Sequence, residues 1–317
     1  MCSHVLMTQR IAVATTAWSW ESISRADDLC RQAEQAEAMG FHSFWLPENH
    51  FGGRRAIPSP LTLLAAVAGR TQRIALGCTS YLLPIRHPLQ AAEEVAVLDQ
   101  LSGGRLILGL GRGIQPAMFR AFDIDASDKR RLFSDKLEIM RAAWRGDPVA
   151  EDEDGIPIRL SPLPLQQPSP PLWVAAFGPL ALKQVAGLGL PYLASPMESL
   201  DLLTQNYNTF NQHVADTGQP VVDTVPVMRT VFASDRKSQL DALRKELTRT
   251  LPPAVRDRAG EVDEWAIVGD GAYVRDKIAQ HVEQLGLTHL ILRGGLPGVS
   301  EQQHLRSHER VLQAAGQ

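Results

Sequence analysis

Cysteine is scarce in this chain: Cys2, Cys30 and Cys78 are the only three. The number is odd and no pair stands at the short spacing of a metal-binding knuckle, so the pattern argues against a disulfide framework and a structural zinc site. A reducing compartment is expected, with no metal. An excess of charge of one sign is lacking too, since 32 Lys plus Arg face 35 Asp plus Glu for a net charge of −3. That balance excludes an electrostatic nucleic-acid binder. No run reaches the ~18 apolar residues of a membrane span. The stretch Ile11 to Trp18 follows Arg10 like a short signal core, but Trp18, Trp20 and Glu21 stand where a small-residue cleavage site belongs. The expectation is a soluble, cytoplasmic protein without nucleic-acid or membrane partners.

What is present is core-forming material. Hydrophobic residues make up 44% and charged residues 21% of 317 positions. That length suits two ordinary domains or one barrel, and only the order of elements can choose. Short β-branched runs alternate with segments of helical period, the pattern of repeated βα units on a parallel sheet. Strands are expected at Ile11–Ala17, Ser43–Pro47, Ile74–Thr79, Arg105–Leu110, Leu172–Ala176, Pro191–Ser195, Val225–Phe232 and His289–Arg293.

The first helix carries an apolar stripe of Ala26, Leu29, Ala33 and Ala36 and stops at Gly40. Others are expected at Ser59–Arg70, Pro88–Leu101, Lys129–Trp144, Pro179–Leu188, Glu198–Ala215, Asp235–Leu247 and Ala272–Leu285. Eight strands with eight helices favour an α/β fold of the closed (β/α)8 TIM-barrel type over an open doubly wound sheet. Seven prolines between Asp147 and Pro171 beside the acidic run Glu151–Asp154 forbid a helix there. This stretch, 147–171, reads as a loop excursion within one domain covering 1–317. The polar segment Leu251–Val268 reads as either a lid or a passive surface loop.

Active sites of such barrels gather at the C-terminal ends of the strands. The second strand ends in Glu48-Asn49-His50-Phe51, where a carboxylate, an amide and an imidazole put titratable and hydrogen-bonding groups in one loop. Taken alone, the histidine reads equally as an unremarkable surface or hydrogen-bonded one. Thr79 and Ser80 close the third strand and either satisfy backbone groups or face a ligand; His87 reads as a capping or packing residue. In Leu108-Gly109-Leu110-Gly111-Arg112-Gly113 the glycines let the backbone pass close to a ligand and Arg112 suits a phosphate, while a solvated arginine in a tight turn fits the same residues. The spacing is not the dinucleotide fingerprint. Lys129, Arg130 and Arg131 oppose the dipole of their helix start and need an anion or solvent. Phe177-Gly178 opens another helix whose free N–H groups suit an anion.

Together, Pro47-Glu48-Asn49-His50-Phe51, Leu83-Pro84-Ile85-Arg86-His87-Pro88, the long run Glu93–Arg105 with its Leu-Asp-Gln-Leu-Ser-Gly-Gly-Arg end, and Leu108–Gly113 resemble the bacterial luciferase-like flavin-dependent monooxygenases. The similarity continues through Phe119, Phe122, Arg130 and Val268-Gly269-Asp270. It implies a TIM barrel that uses reduced FMN (FMNH2), supplied by a separate flavin reductase, and O2 to oxygenate a small organic substrate through a flavin C4a-hydroperoxide. It further implies that Thr79 and Ser80, joined by a non-prolyl cis peptide, lie along the flavin and that Arg112 and Arg130 hold its phosphate. His50, supported by Glu48, is then the acid/base or substrate-orienting group, and a homodimer forms through the second and third helices. Asn49 stands where luciferase has a histidine base, and an amide cannot shuttle a proton at neutral pH. Phe177-Gly178 stands where relatives place a phosphate-binding hydroxyl. These departures keep two alternatives open: hydride transfer with a deazaflavin coenzyme, or a non-catalytic flavin-binding subunit.

Overall fold

A computed structural model describes residues 10–19, 25–51, 53, 56–251 and 260–316. Each expected strand and helix is present, with ends shifted by a few residues at most. The chain runs β1 (Ala12–Thr16), α1 (Ala26–Met39), β2 (Ser43–Leu46), α2 (Pro60–Ala68), β3 (Ala75–Leu82), α3 (Pro88–Ser102), β4 (Leu106–Gly111), α4 (Pro116–Ala121) and α5 (Lys129–Trp144). An exposed antiparallel pair follows, β5 (Ala150–Glu151) with β6 (Pro157–Ile158). Then come β7 (Leu172–Ala175), α6 (Pro179–Gly187), β8 (Tyr192–Leu193), α7 (Leu200–Asp216), β9 (Pro226–Ala233), α8 (Lys237–Thr250), α9 (Val262–Trp265), β10 (Ala266–Gly269), α10 (Gly271–Leu285), β11 (His289–Leu292) and α11 (Glu301–Ala314).

Nine strands form one parallel sheet in the order β10-β9-β11-β1-β2-β3-β4-β7-β8. It curls until β8 reaches β9 at a single parallel bridge, Ala194 with Val227. The count corrects the expected eight. The added strand β10 lies in the segment read as lid or loop, whose residues 252–259 fall outside the described ones. Its described part is core: Val262, Trp265, Ala266, Ile267 and Val268 are buried. The charges of Glu261, Asp263 and Glu264 masked a four-residue strand in any average over that segment.

Strand alternation divides the interior into two layers. Phe44, Leu76, Leu108, Val174 and Leu290 face the helices in the main core. Ala14, Trp45, Ile107, Trp173, Leu193 and Ile291 face inward as a separate cluster. Trp45 and Trp173 stack there with ring centroids 5.1 Å apart, and Gly77 makes room, because a Cβ on it would collide with the Trp45 ring. The floor of the curled sheet is thereby filled, and only its C-terminal end is left for a ligand.

The Leu98–Arg105 run is structural. The buried Asp99 carboxylate accepts from Gln166 N at 2.8 Å and Gln166 Nε2 at 2.7 Å, tying the Pro-rich excursion to α3. Arg105 donates to Ile74 O, Ala68 O and Thr71 O, closing the end of α2. Among the described residues no helix is long and apolar enough to cross a membrane.

Candidate active site

Glu48 leaves β2 with its carboxylate fully buried. Burial of a carboxylate is costly unless its oxygens are occupied, and here they are. Leu82 N donates to Oε2 at 3.0 Å, Arg86 Nη1 donates to Oε1 at 2.8 Å, and His50 Nε2 lies 2.7 Å from Oε1. Arg86 also donates to Leu82 O and lies 3.8 Å from the centroid of the Tyr81 ring. Burial alone would lower the Arg86 pKa, but Tyr81 and Glu48 outweigh it and the guanidinium is held protonated more firmly than usual. Sequence reasoning quoted Arg86 without giving it a role. Its partner stands 38 positions away, so the only signal was a charge in an apolar strand exit.

His50 is buried, with its ring edge-on to Phe122 at 5.1 Å and tilted against Phe51 at 5.9 Å. A neutral ring that donates Nε2–H to Glu48 presents Nδ1 as an acceptor. Asn49, grouped with Glu48 and His50 as a candidate catalytic residue, has a different task. Its Oδ1 accepts from Ile57 N at 3.0 Å and its backbone pairs with Ile57 in both directions, so it braces the loop that carries His50. His87 occupies the N-cap of α3 without a side-chain cap, and its side chain is exposed, so neither role expected of it is realised.

The Thr79–Ser80 peptide is cis and non-prolyl. The ladder between β3 and β4 shifts register there, and two glycines accommodate the bulge. A Cβ on Gly109 would strike Cys78 O, and one on Gly111 would strike Ser80 Oγ. Thr79 Oγ1 is buried and without a protein partner. An orphaned hydroxyl at an inward-facing strand end is where a bound ligand would supply the missing bond.

Arg112 follows directly. It donates to Gln184 Oε1 at 3.0 Å and to Ala175 O at 3.1 Å, and Gln184 in turn donates to Arg130 O and Ser134 Oγ. Gln184 of α6 thus ties Arg112, after β4, to Arg130 of α5 in one corner. Among the described residues neither arginine has an ion-pair partner. Burial, and secondarily the charge of Arg130, push the Arg112 pKa down to about 10. Two guanidiniums that repel each other and lack a carboxylate have the chemistry to take an anion. Gly178, at φ 80°, caps α6, and a Cβ on it would meet nothing within 4 Å, so the approach to the helix N-terminus is open. Phe177 beside it is exposed.

The expected basic cluster separates. Arg131 pairs with Asp128 and Asp135 in solvent, Lys129 lies over the Phe119 ring, and Arg130 alone remains unpaired. At the same strand ends Phe51, Ile114, Phe122, Phe177 and Leu180 are exposed apolar side chains, with Phe51 against Phe122. Among the described residues no cluster of His, Cys, Asp and Glu is placed to hold a metal ion.

Comparison with known proteins places this geometry. The chain is 38% identical over 160 residues to the uncharacterized protein y4wF of Sinorhizobium fredii, covering 50% of this chain and 47% of that one. It is 26% identical to the oxygenase component of the flavin-dependent trigonelline monooxygenase of Acinetobacter baylyi, over 70% of this chain and 63% of that one. The chain therefore spans about half to two thirds of the length of these relatives. Among solved structures, the oxygenating constituent of 3,6-diketocamphane monooxygenase from Pseudomonas putida, a type II Baeyer-Villiger monooxygenase in complex with FMN, superposes with a TM-score of 0.81. It is 21% identical, and the match covers 95% of this chain and 96% of that one. The coenzyme F420 dependent tetrahydromethanopterin reductase of Methanopyrus kandleri superposes at 0.74 with 18% identity, over 96% and 98%. Identities this low carry the fold alone. The luciferase-like monooxygenase family matches residues 1–289, nearly the whole length, and the chain belongs to that family.

Proposed function

We propose that this chain is the oxygenating component of a two-component monooxygenase, built as a TIM barrel with an excursion at 147–171, that takes FMNH2 from a separate flavin reductase and inserts oxygen from O2 into a small organic substrate. The observation that carries the reading is the unpaired Arg112–Arg130 corner, which suits one phosphate monoester and adjoins an orphaned Thr79 hydroxyl on the cis-peptide bulge. Reduced FMN, when bound, supplies the electrons that activate O2.

The protein's residues do the rest. Arg112 and Arg130, with the N–H groups opening α6, hold the phosphate, and each charge-assisted contact is worth roughly 1.5–3 kcal/mol. Thr79 and Ser80, on the cis-peptide bulge, would hold the flavin ring. The Trp45–Trp173 stack closes the floor and keeps bulk water from entering below. His50 Nδ1 is the group that can accept or return a proton at the substrate, while Glu48, clamped by Arg86, fixes the ring's orientation. A homodimer through α2 and α3 fits Val97 and Leu101, which are exposed on α3.

Titration with FMN, followed by quenching of flavin fluorescence, tests the cofactor. The expected result is saturable binding and, with a reductase, NADH and a substrate panel, substrate-dependent O2 uptake. A deazaflavin coenzyme is the second reading, favoured by the absence of a hydroxyl at Phe177-Gly178. Tighter binding of the deazaflavin than of FMN, with no O2 uptake, would select it.

A further inference from the structure

Arg293 lies one step past the Leu292–Arg229 pair of the β11–β9 ladder, and its N–H donates to Arg229 O at 2.8 Å. Leu290 and Leu292 face the helices, whereas Ile291 packs in the inward cluster with Trp45 and Trp173. By strand alternation Arg293 shares the inward face with Ile291, one layer nearer the open end. The same register step sets Thr230 beside it on β9 and Thr16 on β1. The Thr16 hydroxyl is engaged, accepting from Gly294 N and donating to Ala17 O. The Thr230 hydroxyl is buried and has no hydrogen-bond partner among the described residues.

The Arg293 guanidinium is equally unoccupied: among the described residues it makes no side-chain hydrogen bond or ion pair. Burial alone lowers its pKa, with no carboxylate to offset it. Glu198, in the turn after β8, is fully engaged by Tyr192 Oη, Ser195 N and Asn206 Nδ2. Arg229, of opposite parity, turns away to His281 and the carbonyls of Glu198 and Trp265. A largely buried, unpaired cation with an idle hydroxyl at its side suits an oxygen anion. At the same C-terminal end of the sheet Phe51, Ile114, Phe122 and Phe177 are exposed apolar side chains.

We propose that Arg293 and Thr230 form a subsite for the carboxylate of an otherwise apolar substrate. This rests on the reading that the same mouth holds the flavin. The anionic pyrimidine edge of reduced flavin offers a guanidinium the same planar oxygen chemistry. Position favours the substrate, because β11 stands four strands from β4 in the sheet order, across from the Arg112 corner.

The experiment titrates octanoate and octanamide separately into the FMN-mixed protein by calorimetry, in wild type, Arg293→Met and Arg293→Lys, with FMN binding read independently by fluorescence. Octanoate is expected to bind at least about tenfold tighter than octanamide to wild type. The ratio falls to about one in Arg293→Met and stays above one in Arg293→Lys, which keeps the charge but loses the fork, while FMN binding is unchanged in both. Equal binding of the two probes by wild type overturns the proposal, as does an undiminished ratio in Arg293→Met. Weakened FMN binding in Arg293→Met with the ratio intact overturns it as well and assigns the guanidinium to the flavin. If Arg293→Met does not fold, Arg293→Gln is read by the same two criteria. Failure of wild type to bind FMN refutes the flavin reading, and the octanoate ratio of that same protein still decides the role of Arg293.

Discussion

Arg112 and Arg86 are both largely buried arginines, yet their surroundings give them opposite tasks. Arg86 has its carboxylate, Glu48, at 2.8 Å; Arg112 has only neutral oxygens and a like charge nearby. Arg86→Met leaves the Glu48 carboxylate buried without its cation, and breaking such a pair costs about 3–5 kcal/mol. Chemical denaturation is expected to show that loss. Arg112→Ala removes a partner that the folded chain does not itself use, so stability is expected to hold. FMN affinity should instead fall roughly 10- to 150-fold, the equivalent of about 1.5–3 kcal/mol, read by fluorescence titration. A variant that loses stability but not affinity would contradict the phosphate assignment. His50→Gln, with Glu48 left intact, is expected to lower kcat with little change in FMN affinity, because the role proposed for the ring is a proton step at Nδ1 and not flavin binding.

At the scale of the elements, β3 and β4 are the pair that shapes the site. Their register shift at Thr79–Tyr81 needs the two glycines of β4 for different reasons. Gly109 faces a backbone carbonyl that cannot move without dragging β3, and Gly111 faces the Ser80 hydroxyl, which can rotate, together with the Ser80 Cβ, which moves only with β3. Gly109→Ala and Gly111→Ala should therefore each cost about 1–3 kcal/mol or more, as measured by urea midpoints. A negligible cost at either position would show that β3 yields there. These glycines were visible in the sequence as a close-approach signal, but the object they approach, a bulge on the neighbouring strand, lies some thirty positions earlier and was not. The same distinction explains β10 and α11. Strand β10 is only Ala266–Gly269 and is preceded by acidic residues. Helix α11 buries His304, Ser307 and His308 along with Val311 and Leu312, so its stripe is too polar to read by hydropathy, although Ser300 and Gln303 spell a capping box that was there to be found.

Across the whole molecule, the buried histidines set the acid limit. Burial holds His304 down to about 4, burial and then the charge of His304 hold His308 down to about 3, and burial with Arg229 holds His281 down to about 4. A histidine of the unfolded chain titrates near 6.5, so below that pH the unfolded state binds more protons than the folded one. The stability these neutral rings represent is complete above about pH 6.5 and is lost as pH falls towards 4, by up to about 1.4 kcal/mol per pH unit for each ring. A urea midpoint that drops between pH 7 and pH 5, and drops less in His308→Phe, is expected; a flat profile would place these rings in water.

The sequence by itself determined the alternation of strands and helices, the strand ends at which chemistry gathers and the family to which the run from Glu93 to Gly113 is similar, because period and local spacing are written along the chain. Only the tertiary structure decided that Arg86 belongs to Glu48, that Gln184 joins Arg112 to Arg130, and that Arg293 and Thr230 stand idle side by side. Curling the sheet brings residues tens to hundreds of positions apart into hydrogen-bonding range, and whether a charge is paired or left for a ligand depends on that closure alone.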